Sequence, residues 1–118
     1  MAIEKLSQPS IEVINVTNLN AVTSATEGDA VEMRKFVNKT VFVKVSANTG
    51  AVTVGVEISH DGTSWSEIQD GELPKTYTAS NTSDEDSFSF YDYSPYIRVK
   101  TTTQSSSTVT AKITGQVS

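Results

Sequence analysis

Between residues 40 and 68 the chain alternates apolar and polar positions with few interruptions. In Thr40–Ser46, Val41, Val43 and Val45 share one phase. In 51–59, Val52, Val54, Val56 and Ile58 share one phase, while Thr53, Gly55, Glu57 and Ser59 share the other. A period of two marks an extended strand with one face in a core and the other in water. Asn48-Thr49-Gly50 separates the two runs with turn residues, which predicts a hairpin between them. Asp61-Gly62 then supplies a tight turn, because glycine reaches positive φ without steric cost. The chain returns through Ser64-Trp65-Ser66-Glu67-Ile68, with its single tryptophan at the start of that strand and placed in the core.

The remaining pattern is shorter in its repeats. Ile11–Thr17 reads as a strand whose apolar phase slips between Val13 and Ile14, the mark of a β-bulge or of burial on both faces. Residues 18–29 read as a polar loop with a short strand at 21–25, and 30–36 as a strand or extended connection. After a loop at 69–74 comes a short strand at 76–79, then a polar and acidic surface connection at 80–86. Phe88 and Phe90 point to one side of the strand 87–90, and 91–95 turns a corner. Tyr96–Thr101 sends Ile97 and Val99 inward and Arg98 and Lys100 outward. Residues 102–107 form a turn, and 108–117 closes the chain with Val109, Ala111 and Ile113 inward. About eight short strands at a spacing of ~10 residues, without a helical pattern, predict an all-β fold: a single-domain antiparallel β-sandwich over residues 10–118. Spacing leaves jelly-roll and immunoglobulin-like topologies both open. Residues 1–9 read as an amino-terminal arm closed by Pro9.

Composition narrows the function classes. A length of 118 residues provides for one core. Serine and threonine together make up roughly a quarter of the chain, which favours pleated surfaces. The net charge of −5, with scattered Lys and Arg, argues against a nucleic-acid partner. No apolar run approaches membrane-spanning length, so no membrane partner is expected. With no cysteine, the fold is expected to rely on core packing or on assembly with copies of itself. The first nine residues lack the basic and apolar blocks of a secretory signal, which points to a protein used without export.

Candidate chemistry is sparse. His60 is the only histidine, flanked by Ser59 and Asp61, but neighbours on a strand face opposite ways, and a solvated turn residue is the reading adopted. No catalytic residue and no cofactor are therefore assigned. Asp84, Glu85 and Asp86 are weak candidates for calcium oxygen ligands, without the spacing of a known loop, so no metal is assigned. Trp65, Tyr91 and Tyr93 are candidates for stacking against a ligand such as a sugar. Ile3 and Leu6 in the arm are candidate assembly contacts.

Three pieces stand in order: 54–65 with its Ser-His-Asp-Gly-Thr-Ser-Trp corner, Ser94-Pro-Tyr-Ile-Arg-Val-Lys100, and Thr108-Val-Thr-Ala-Lys-Ile-Thr-Gly115. Together they resemble a small β-sandwich type found in bacteriophage and archaeal-virus virion proteins, such as capsid decoration (cement) and tail accessory subunits. They are also similar to the carboxy-terminal half of discoidin-like carbohydrate-binding jelly rolls, although the opening half of such a domain is missing. The corner does not fit the sialidase Asp-box. The first resemblance implies a non-enzymatic structural protein, assembled in the host cytoplasm into a virion. Its partners would be a major capsid or other virion protein and copies of itself, with a trimer favoured. The second implies a carbohydrate-binding module, and a pilus or surface-layer subunit is a third expectation.

Overall fold

The structure is a computed structural model and describes residues 12–46, 49–69, 71–78, 83–91, 94–104 and 106–117. Among the described residues nine strands follow in chain order: β1 (Val13–Val22), β2 (Val31–Glu32), β3 (Asn38–Ser46), β4 (Val52–Ser59), β5 (Trp65–Glu67), β6 (Lys75–Tyr77), β7 (Asp84–Phe90), β8 (Tyr96–Thr102) and β9 (Thr108–Gln116). They form two antiparallel sheets. The first has the order β1-β9-β3-β7, and the second β2-β8-β4-β5, with β6 also on β4. β5 pairs with 57–59 of β4 and β6 with 52–54, so the two lie end to end along one edge of β4 and act as one interrupted strand. Eight strand positions remain, in the arrangement of a jelly roll. Every connection crosses between sheets except those joining β4, β5 and β6.

That topology overturns the expected hairpin between residues 40–46 and 52–59. β3 pairs with β7 and β9, whereas β4 lies in the opposite sheet. Each strand carries a fully buried valine row, Val41, Val43 and Val45 on β3 and Val52, Val54 and Val56 on β4. Placed in opposite sheets, the two rows meet across one interior. Ile97, Val99, Val109, Ala111 and Ile113 complete that interior from β8 and β9, all with no measurable exposure. At roughly 25 cal/mol per Å² of apolar surface removed from water, this layer supplies the main driving force for folding.

The phase slip in β1 has a different cause from the expected one. Val13 faces outward and is 51% exposed, while Ile14 and Val16 turn toward the core. The bulges lie further on, between Thr17 and Leu19 and between Leu19 and Val22. They carry the strand through a segment read as loop and turn Leu19 fully inward. At the first bulge Asn18 stitches the two sheets together: its Oδ1 accepts from the Val99 amide at 2.7 Å and its Nδ2 donates to the Asp29 carbonyl at 2.8 Å. A methyl group on Gly28 would overlap that amide side chain, which explains the glycine there.

Candidate functional site

The outer face of the second sheet is ordered by register. Ser59 is the partner of both Trp65 and Tyr96, and Glu57 is the partner of both Arg98 and Glu67. Cross-strand partners share a face, so Trp65 lies on the outer side with Ser59 and Glu57, and the expectation of an indole in the core is corrected. Its ring carries the Arg98 guanidinium at 4.2 Å from the centroid. Arg98 Nε and Nη2 both donate to Glu57 Oε1 at 2.7 Å, and Lys100 Nζ donates to Glu57 Oε2 at 3.0 Å. Glu27 and Glu67 add longer ion pairs at 3.5 and 3.9 Å. Burial by itself would raise the Glu57 pKa, but the hydrogen bonds from Lys100 and Arg98 outweigh it and hold the carboxyl below its usual value. Glu57 in turn raises the Lys100 pKa. β4 is therefore covered on its outer side as well, and Gly55, Glu57 and Ser59 are buried rather than washed by solvent.

The corner after β4 is a closed hydrogen-bonded turn. Asp61 Oδ1 accepts from the amides of Ser64 (2.9 Å) and Thr63 (2.8 Å) and from the Ser59 hydroxyl (3.1 Å), which lowers the carboxyl pKa to about 2. Ser59 Oγ also accepts from the Gly62 amide at 2.8 Å, and Gly62 sits at φ +82°. Ser59 and Asp61 are thus engaged with each other and with the turn backbone, while His60 is exposed beside them.

Asp84, Glu85 and Asp86 do not lie in a surface connection; they form the start of β7. Alternation turns Glu85 to the outer face and Asp84 and Asp86 to the inner one, opposite Val45 and Val43. Asp86 Oδ2 is already held by the Tyr77 hydroxyl at 2.8 Å and Lys75 Nζ at 3.1 Å. These bonds depress the Asp86 pKa and raise that of Lys75. Burial, followed by the hydrogen bond to Asp86, drives the Tyr77 phenol upward. Among the described residues, no group of three His, Cys, Asp or Glu side chains is placed to hold a metal ion.

Of the candidate stacking aromatics, Trp65 sits on the second sheet and Tyr91 follows directly on β7 of the first, 67% exposed. Tyr93, Ile3 and Leu6 fall outside the described residues.

The outer face of the first sheet was not singled out by the sequence. Register lays Thr17, Lys112, Phe42 and Ser87 in one row across its four strands or beside it, with Asn15, Thr114, Thr40 and Ser89 in the next. Phe42 stands in the middle, 48% exposed. Within these strands the outward charges are Lys44, Glu85 and Lys112, and the other outward positions between the rows are hydroxyl and amide side chains. Val13 and Asn38 both pair with Gln116 at one end, and Val37, 47% exposed, adjoins Asn38. The signal was present in the sequence: Phe42 occupies the polar phase of 40–46.

Among the described residues, no helix is long and apolar enough to cross a membrane. No protein-family model matches the chain, and no curated protein matches it. The chain is similar in structure to the exported protein XepA of PBSX, with a TM-score of 0.62, 15% identity, and coverage of 91% of this chain but only 38% of XepA. It is similar to the SPBc2 prophage-derived protein YomS, with a TM-score of 0.56, 14% identity, and coverage of 90% and 94%. It is also similar to the PRD1 vertex protein P5, with a TM-score of 0.51, 11% identity, and coverage of 88% and 94%. At these identities the likeness establishes a shared β-sandwich fold.

Proposed function

We propose that this protein is a non-enzymatic structural subunit of a virus or phage particle, of the capsid decoration type, attached to a shell as a homo-oligomer. The observation that carries the reading is the contrast between the two outer faces. The second sheet satisfies its own charges in the Glu57–Arg98–Lys100 cluster under Trp65. The first sheet instead leaves Phe42 half-exposed at its centre, beside Lys44, Glu85 and Lys112 and among hydroxyl side chains. Aromatic residues are enriched in interface cores, where a partner covers apolar surface that a lone monomer leaves in water. The fold shared with a prophage-derived protein and a viral vertex protein, and the resemblance of the 54–65, 94–100 and 108–115 segments to virion sandwiches, support the same reading.

In this role the binding energy comes from shape and apolar burial rather than from chemistry at a pocket. The partner is a major capsid or other virion protein, the expected oligomer is a trimer, and the location is the virion. The test is immunogold labelling of purified intact particles with antibody against this chain, together with light scattering of the free protein. Labelled particles and a discrete oligomer are expected. Absence of the chain from every particle fraction, or specific glycan binding lost in Trp65→Ala with the fold intact, overturns the reading.

A further inference from the structure

The four sheet edges are guarded unequally. β2 offers two residues, and β5 and β6 three each. β7 carries Asp84, Glu85 and Asp86, with Asp86 held from the facing edge by Tyr77 and Lys75. Short edges and charged edges both resist pairing with a foreign strand. β1 has neither protection: it runs ten residues from Val13 to Val22 without one charged side chain. Among the described residues it pairs with β9 alone, and alternate residues of its regular stretch, Val13–Thr17, direct N–H and C=O groups away from that strand. A groove runs along this edge, lined by Ile14 and Val16 of β1 and by Ala30, Val31 and Phe36 with the charged Arg34 and Lys35.

The candidate occupant is the segment that precedes this strand. Glu12, where the described chain begins, is tied at one end of the groove by its ion pair with Lys35 at 3.0 Å and by the Val117 amide bonded to its carbonyl at 3.0 Å. At about 3.3 Å per residue, eight residues in a strand would span about 26 Å, more than the roughly 17 Å of the regular edge. The spacing of their apolar residues fits it. Ile3 and Leu6 are three apart, as are Val13 and Val16. In an antiparallel ladder, Leu6 opposite the exposed Val13 puts Ile3 opposite Val16, on the groove side.

Return of the arm onto its own edge is disfavoured by its turn chemistry. Two-residue hairpin turns need positive φ at their first central position, whereas Pro9 is fixed near −65° and residues 1–12 contain neither glycine nor asparagine. We propose that residues 1–8 of one copy add as an antiparallel strand to the β1 edge of a neighbouring copy, with Leu6 against Val13 and Ile3 against Val16. Contacts of this head-to-tail kind form a ring where the rotation between copies closes, and such a ring is the oligomer on which the proposed function rests.

The chain has no cysteine, which makes a disulfide test direct. The full-length double variant Leu6→Cys with Val13→Cys is expected to form interchain disulfides on oxidation, seen as a ladder on non-reducing gels, while Leu6→Cys with Thr17→Cys stays unlinked. Deletion of residues 1–8 is expected to shift the oligomer to monomer in light scattering with the β-sheet spectrum unchanged. An intrachain Leu6–Val13 disulfide overturns the exchange. An oligomer that survives the deletion, with the 6/13 pair unlinked, also overturns it but leaves the structural-subunit reading standing. A wild-type chain that is monomeric at every concentration overturns both.

Discussion

The Tyr77 hydroxyl donates a 2.8 Å hydrogen bond to Asp86 Oδ2, joining β6 of one sheet to β7 of the other. Both side chains point inward at the rim of the sandwich, opposite Val52 and Val43 on their neighbouring strands. Lys75 reaches the same oxygen at 3.1 Å. A polar latch thereby closes one open side of the barrel-like core. Tyr77→Phe is expected to cost about 1–2 kcal/mol in chemical denaturation, the lower part of the range for a bond to a charged group because Asp86 is partly exposed. In a double-mutant cycle with Asp86→Asn, the two losses should fall short of additivity by at least about 0.5 kcal/mol. Strict additivity would show that the latch contributes nothing.

The core prediction is larger. Ile113 has no exposure and lies in the layer shared by both valine rows. Ile113→Ala is expected to cost about 2–5 kcal/mol through lost transfer energy and a residual cavity. A change under about 1 kcal/mol in the denaturation midpoint analysis would place this residue elsewhere.

Trp65 offers a discriminating measurement, because its position separates two energies. A core tryptophan cut to alanine costs about 3–5 kcal/mol. An indole on the outer face, stacked on Arg98, should cost about 1 kcal/mol through the lost cation–π contact and some added hydration of the ion cluster. Trp65→Ala is therefore expected to keep the cooperative unfolding transition with only a modest shift in midpoint.

The pH dependence follows from groups whose pKa values move on folding. Asp61, at about 2, and the lowered Glu57 and Asp86 contribute stability that is complete above the unfolded carboxylate range near 4. That contribution is lost as pH falls through the folded values. The raised Lys75, Lys100 and Tyr77 act at the other limit: their contribution is complete below about pH 10 and is lost as pH rises beyond it. Thermal midpoints measured from pH 2 to 11 should show a plateau between about 4 and 10 with falls on both sides. Asp61→Asn should flatten part of the acid fall.

Gly28→Ala tests the stitch between the sheets. Its methyl group has no room beside the Asn18 amide, which bonds the Val99 amide and the Asp29 carbonyl. A loss of about 1–3 kcal/mol is expected from the forced shift. Gly28→Ala in an Asn18→Ala background should cost much less, since the obstruction is gone.

Legibility of the site was uneven for identifiable reasons. The acidic run 84–86 reads as a loop because charge favours exposure, yet Asp84 and Asp86 continue the inward phase of Phe88 and Phe90. An edge strand admits inward carboxylates when the facing edge supplies donors, here Tyr77 and Lys75, and nothing local announces those partners. Trp65 read as core because large aromatics are usually buried, but its parity is inherited from Ser59 through strand pairing. Phe42 was available from alternation alone.

What the order of residues determined by itself was the set of strands and, for most of them, the buried phase. Side chains alternate with period two in any extended chain, so Val41, Val43, Val45, Ile97, Val99, Val109, Ala111 and Ile113 could be assigned to the interior without a partner in view. Only the tertiary structure decided which strands pair. An apolar row is satisfied equally by a hairpin neighbour or by a row in the opposite sheet, so β3 and β4 could meet across the core rather than side by side. The same choice set the outer faces, because cross-strand register brought Arg98 and Trp65 over Glu57 and left Phe42 exposed between Lys112 and Ser87.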